Sequence, residues 1–181
     1  MQKVTEEKMT YPIRGPVPYT LRKTLILVED KRFYYHFGID LLATARAVLV
    51  NLSEMRYAQG GSTITQQLAR TLYLHRRKTL ARKIAELFIA FWLELRMTKV
   101  EILAMYMDRV YMGQRIDGTT IRGFHEASVY YFGVSLGCTN SVQQAHLVGM
   151  LKGPNIYKPF SELGSKRRDE VLNLMERARI T

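Results

Sequence analysis

Gly60-Gly61-Ser62-Thr63-Ile64-Thr65-Gln66-Gln67-Leu68-Ala69 sets a polar, glycine-led turn directly ahead of a segment with helical periodicity. The two glycines allow close approach of the backbone to a ligand and dihedrals closed to other residues. Ser62 is placed to cap a helix expected from Ser62 to Leu74. The free N–H groups at such a helix start, with the positive end of its dipole, favour an anion. Alone, the run equally describes an ordinary Gly-Gly turn with a serine cap. Its flanks decide between the two.

Upstream, the apolar stretch Leu25-Ile26-Leu27-Val28 runs into Glu29-Asp30-Lys31-Arg32-Phe33-Tyr34-Tyr35-His36-Phe37-Gly38. A carboxylate in apolar surroundings is disfavoured in its charged form, which is the usual route to a general base useful near neutral pH. An acidic pair balanced by Lys31 and Arg32 is also how a solvated turn begins. Downstream, residues 70–83 hold six Lys or Arg and no acid, and they lead into Arg82-Lys83-Ile84-Ala85-Glu86. That is a phosphate-type surface followed by one carboxylate. Arg82 and Glu86 are one helical turn apart and equally fit an exposed pair contributing about 0.2–0.5 kcal/mol.

The 181 residues fit one domain, expected over residues 20–181 behind an N-terminal extension at 1–19. The single cysteine, Cys138, excludes an intrachain disulfide. A formal net charge of +11 and an isoelectric point of about 9.9 call for an acidic partner, whether nucleic acid, anionic lipid headgroups or pyrophosphate. Nucleic acid ranks last, because neither a helix-turn-helix signature nor an aromatic ladder with interleaved basic residues stands out. No run of about eighteen apolar residues occurs, and the polar, proline-bearing N-terminus is not signal-like.

The rest reads as helical. Helices are expected near Thr20 to Val28, Leu41 to Glu54, Ser62 to Leu74, Thr79 to Arg96, Lys99 to Tyr111, Gly118 to Tyr131, Ser141 to Leu151 and Ser161 to Arg179. Ile84, Leu87, Phe88, Phe91 and Leu95 fall at helical spacing, as do Leu103, Tyr106, Met107, Val110 and Tyr111, and both stripes are expected in the core. Ile39 to Val50 is apolar nearly all round, broken by Asp40, Thr44 and Arg46. That fits a central helix or, with Phe33, Tyr34, Tyr35 and Phe37 before it, a membrane-facing surface.

The order EDxxFxxHxG, GGSTITQQLxR, RKxxE and ILxxYxxxxYxG is far more specific than any of its parts. Through it the chain resembles the peptidoglycan glycosyltransferase family, the transglycosylase module of bifunctional penicillin-binding proteins and the monofunctional biosynthetic transglycosylases. The matching residues are Glu29, Asp30, Phe33, His36 and Gly38; Gly61 through Leu68 with Arg70; Arg82, Lys83 and Glu86; and Ile102, Leu103, Tyr106, Tyr111 and Gly113. Tyr131-Phe132-Gly133, the stretch from Pro154 to Pro159 and Arg167-Arg168 extend the match over roughly residues 20 to 175. Departures are Arg70-Thr71 where the family usually has a basic residue and Asn, Asp108 at a usual Asn, and Arg122, Phe124 and His125 where small residues are usual.

The resemblance implies an all-α, lysozyme-like domain with a small hydrophobic lobe against the bilayer, which would put Phe37 to Tyr57 at the lipid interface. It implies inverting transfer of a glycan chain from a lipid-pyrophosphate donor to the sugar 4-hydroxyl of lipid II. Glu29 would be the base and Glu86 the second essential carboxylate. Arg70, Arg82 and Lys83 would neutralise the departing pyrophosphate, and Ser62, Thr63 and Gln67 would hydrogen-bond sugar or phosphate. Asp30, Phe33 and His36 would support the first motif. Glu86 would either orient Arg82 or Lys83 or hold a divalent metal, Mg2+ or Mn2+, bridging the pyrophosphate. No organic cofactor is implied. The implied partners are lipid II, the growing glycan chain, the membrane surface and other cell-wall synthases, with no nucleic acid, at the outer face of the bacterial cytoplasmic membrane. Family members typically carry a transmembrane helix before this module, so an anchor outside this sequence or an unanchored variant is expected. A catalytically impaired relative that binds precursor or a partner synthase is the main alternative. A glycoside hydrolase pair is disfavoured, since hydrolysis needs no phosphate cradle.

Overall fold

The computed structural model describes residues 16–53, 60–74 and 79–180, without the side chains of residues 48 and 51–53. They fall in two compact units, Met1–Lys31 with Met107–Thr181, and Arg32–Tyr106. The expected helix end at Glu54, the interfacial stretch beyond Ser53, and Arg76, Arg77 and Lys78 of the basic run lie outside the described residues.

The first unit opens with α1 (Tyr19–Glu29), which starts after Pro18, a residue whose fixed φ suits a helix start. Leu21 and Leu25 face the core of this unit and are fully buried, each contributing about 1.5–3 kcal/mol. Thr20 donates to Gln144 Oε1 at 2.7 Å, tying α1 to α7 (Ser141–Met150). Helix α7 begins with a reciprocal cap in which Asn140 accepts from the Gln143 N–H and Gln143 from the Asn140 N–H. Against it packs α8 (Glu162–Arg177), capped by Ser161.

Where helix was expected at Tyr111 and from Gly118, the chain forms a two-stranded antiparallel hairpin, β1 (Tyr111–Gln114) and β2 (Thr120–Arg122). Its turn is built by Gly118 at φ +83° and by Asp117, which accepts from both the N–H and the hydroxyl of Thr119. The β-branched run Thr119-Thr120-Ile121 favours an extended chain, so α6 starts only at Gly123 (Gly123–Phe132). Helix α5 (Lys99–Arg109) accordingly stops short of Tyr111. Gly123 sits at φ +74°, and a Cβ there would overlap the Asp108 carbonyl. Gly123→Ala is therefore expected to destabilise the protein by at least about 2 kcal/mol, read as a lower urea midpoint at unchanged slope.

His146 of α7 is buried beside the rings of Phe132 and Phe160, at 6.0 and 5.9 Å. Burial pushes its imidazole below the usual 6.5; the Arg168 guanidinium acts the same way and Asp169 opposes it. Below that value the unfolded chain takes up a proton that the folded chain resists, so stability is complete above 6.5 and falls as pH drops through it. His146→Gln should flatten the stability profile between roughly pH 5 and pH 7.5 relative to the parent, as followed by urea unfolding.

The second unit holds α2 (Leu41–Ser53), α3 (Ile64–Tyr73), α4 (Leu80–Arg96) and α5 up to Tyr106. Asp40, buried and paired with Arg32 at 3.5 Å, caps α2 by accepting from the Ala43 N–H. Gly61 lies so close to α2 that a Cβ would meet Ala47 and Thr44 at 3.1 Å. Helix α4 presents Glu86, Ala90 and Leu93 inward, against Ile64, Leu68 and Ala69 of the buried face of α3. The expected core stripe of α4 is thus corrected: Ile84, Phe88, Phe91 and Leu95 are exposed, with Leu80 ahead of them. A charged residue has taken the buried phase of the helix because two cations satisfy it. The second stripe holds, with Leu103, Tyr106, Met107 and Val110 buried and Tyr111 half-buried in β1.

Candidate active site

Within the second unit, two sequence motifs, GGSTITQQLxR and RKxxE, meet around one carboxylate. Glu86 is 1% exposed, and each of its oxygens holds a cation: Oε2 accepts from Arg82 Nη1 at 2.7 Å and Oε1 from Lys83 Nζ at 2.6 Å. Helical spacing alone produces this, since positions 82, 83 and 86 share one face of α4. The pair read as a candidate surface bridge therefore has a buried carboxylate and a half-buried guanidinium. Breaking such a pair on one side is costly, because a buried charge is left uncompensated. Lys83 reaches further, to Ser62 Oγ at 3.0 Å and Gln66 Oε1 at 3.2 Å, which joins α4 to the start of α3. Arg82 Nε is buried and has no hydrogen-bond partner among the described residues, so the guanidinium is anchored at one end and unsatisfied at another.

The start of α3 differs from the expectation in one detail. The helix cap is Thr63, not Ser62: Thr63 has extended backbone and its hydroxyl accepts from the Gln66 N–H. The same hydroxyl donates to the Gly38 carbonyl at 2.6 Å. Thr63 thus fastens the first motif to the second, from a position only 2% exposed. Ser62, freed from capping, serves Lys83 instead. Gln67 accepts from the Tyr106 hydroxyl at 2.9 Å, and Arg70 lies exposed in the last turn of α3, where the helix dipole favours a cation.

Phe33 is fully buried, edge-on to His36 at 6.3 Å, with Lys99 Nζ 4.6 Å from its ring centre. Lys99 is held by Glu94 at 2.6 Å, and Glu94 also accepts from the Thr65 hydroxyl. A second, half-buried ion pair thereby clamps the first motif. Glu29 and Asp30 belong to the other unit: Glu29 is the last, half-buried residue of α1, and Asp30 is buried just beyond it with its N–H on the Ile26 carbonyl. Asp108 pairs with its neighbour Arg109 at 2.9 Å, and Thr71 donates to the Gln67 carbonyl, so these departures from the family pattern are locally satisfied. Of the other substituted positions, Phe124 is core. Arg167 bonds Glu170 at 2.6 Å.

Gln66, Glu94 and Lys99 were missed by sequence reading. The alternation of buried positions along α3, with Ile64, Thr65, Gln66, Leu68 and Ala69 inside, identifies Gln66 rather than Gln67 as the partner of Lys83. That phase is not legible in a run of two adjacent glutamines.

The helical fold and the motif order together define a transglycosylase, and the family model for transglycosylases matches residues 1–176. The chain belongs to this family and shares its lysozyme-like architecture. It is 46% identical over 172 residues to penicillin-binding protein 1B of Buchnera aphidicola, covering 94% of this chain and 22% of that protein. Penicillin-binding protein 1B of Escherichia coli is 43% identical over 177 residues, 97% of this chain and 21% of the relative. Penicillin-binding protein 1A of Neisseria lactamica is 36% identical over 172 residues, 94% and 21% respectively. The chain thus spans about a fifth of the length of these curated relatives.

Proposed function

We propose that residues 20–181 form a glycosyltransferase domain that polymerises lipid II, by inverting attack of a sugar 4-hydroxyl on a glycan carried by a lipid pyrophosphate. The observation that carries this reading is the pair of half-buried cations, Arg82 and Lys83, on the buried Glu86 carboxylate. Two cations on one carboxylate leave an excess positive charge, and the buried N–H of Arg82 has no partner among the described residues. Such a group suits a departing phosphate, whose growing charge needs donors already in place. Glu29 takes the hydroxyl proton as the new bond forms. Arg70 and Arg82 receive the pyrophosphate, with the planar fork of arginine matched to two phosphate oxygens. Asp30, Phe33 and His36 hold the first motif in place, and Thr63 and Gln67 hold the second. Incubation with lipid II in detergent should give glycan polymer on a gel; inert protein that still binds lipid II would support the impaired-binder alternative.

The donor set at Glu86 does not fit a divalent metal, since both carboxylate oxygens already hold cations. Among the described residues, no group of three or more His, Cys, Asp or Glu side chains could hold a metal ion. Glu86 therefore acts here as the orienter of Arg82 and Lys83.

The second unit lies against the outer face of the cytoplasmic membrane in this reading. Phe37 stacks edge-on against Phe91 at 5.3 Å, and Leu41, Leu42, Leu80, Phe88 and Leu95 of the same unit are exposed. Exposed apolar area of this kind on a strongly basic chain suits anionic lipid. Among the described residues no helix is long and apolar enough to cross a membrane. Replacing Leu80 and Phe88, 78% and 72% exposed, together by serine should weaken flotation with anionic vesicles at least about tenfold, at an unchanged thermal midpoint.

A further inference from the structure

We propose that Gln66 is a positioning residue that acts on the anionic leaving group through Lys83, a role that rests on the glycosyl transfer proposed above. The ammonium of Lys83 has three N–H donors. Three acceptors surround it: Ser62 Oγ at 3.0 Å, Gln66 Oε1 at 3.2 Å and Glu86 Oε1 at 2.6 Å. Gln66 is 2% exposed, and its own N–H is held by Thr63 Oγ1 at 3.1 Å. Side chain and backbone are thus both fixed. With every donor engaged, Lys83 gives a ligand no N–H without surrendering a bond. What it supplies is a charge at a set place.

The neutrality of Gln66 matters as much as its geometry. Arg82 and Lys83 share a single carboxylate, so the cluster keeps one positive charge in excess. A glutamine satisfies the ammonium without cancelling that excess. A carboxylate at position 66 would grip Lys83 more strongly and would remove the net charge that attracts a phosphate oxygen. Stability and activity therefore respond to Gln66→Glu in opposite directions, which a merely structural role does not produce.

The test compares Gln66→Glu and Gln66→Met in lipid II polymerisation and in thermal unfolding. Gln66→Glu should lose at least tenfold in kcat/KM, mainly as a higher KM, while unfolding no lower than Gln66→Met. Gln66→Met should lose only a few-fold. Parent-like kcat/KM in Gln66→Glu overturns the proposal, as does an equal loss of activity and midpoint in both variants. A second arm is independent of turnover. In 1H–15N spectra of lysine ammonium groups, the Lys83 signal, identified by its absence in Lys83→Arg, should exchange slowly in the parent and broaden in Gln66→Met. An unaffected signal overturns the proposal even in active protein. A parent without polymerase activity but with the slow signal lost in Gln66→Met overturns the glycosyl-transfer reading and leaves the positioning of Lys83 by Gln66 supported.

Discussion

Glu29→Gln is expected to lower polymerisation by about a hundred- to ten-thousandfold, the usual contribution of a positioned general base, while lipid II binding stays within about twofold of the parent. An amide keeps the volume and part of the hydrogen bonding of the carboxylate but cannot take a proton from an attacking alcohol. Glu29 is the last residue of α1. Leu25, one turn earlier, is fully buried, so the carboxylate is carried on a rigid, well-packed element rather than on a loop. Turnover measured with fluorescent lipid II, beside equilibrium binding of the same substrate, checks both halves. Near-normal turnover would remove Glu29 from the mechanism.

Glu86→Ala should have the largest effect on stability. It removes the 1% exposed carboxylate between Arg82 and Lys83 and leaves two half-buried like charges together. Breaking a pair buried on both sides costs about 3–5 kcal/mol; with Arg82 and Lys83 only half-buried, solvent screening lowers this to about 2–3 kcal/mol, a fall of roughly 5–10 °C in the thermal midpoint for a protein of this size. Polymerisation should be lost as well, since Arg82 is no longer aimed. Glu86→Gln keeps the volume and one acceptor, so it should unfold above the alanine variant while still failing in turnover. An alanine variant that melts within a degree or so of the parent would show that the pair contributes little to the fold.

Much of the architecture follows from periodicity. The bounds of α1, α4 and α7 are legible within a residue or two because turn and capping residues flank each of them. The hairpin is not. Its strands are four and three residues long, too short for alternation to show, and a glycine ahead of Thr-Thr-Ile serves a turn as well as a helix start. Nor did the pattern on α4 reveal which of its faces is inside. Apolar spacing marks the stripe of Ile84, Phe88, Phe91 and Leu95, which is exposed, and the deciding fact is that a glutamate with two cations tolerates burial better than the spacing suggests.

The candidate site was legible as types and order, not as partnerships. EDxxF, GGST and RKxxE point to a base, a turn and a phosphate surface. That Lys83 crosses to Ser62 and Gln66, and that Thr63 rather than Ser62 caps α3, depends on the backbone angle at one residue. The Glu94–Lys99 clamp on Phe33 joins side chains remote in sequence, which spacing within one motif cannot encode.

Gly123 seats against the backbone oxygen of Asp108, not against its carboxylate. The lock between α5 and α6 is therefore indifferent to which side chain occupies position 108. A lineage can exchange an amide for an acid there without loosening the joint, provided the glycine opposite is kept.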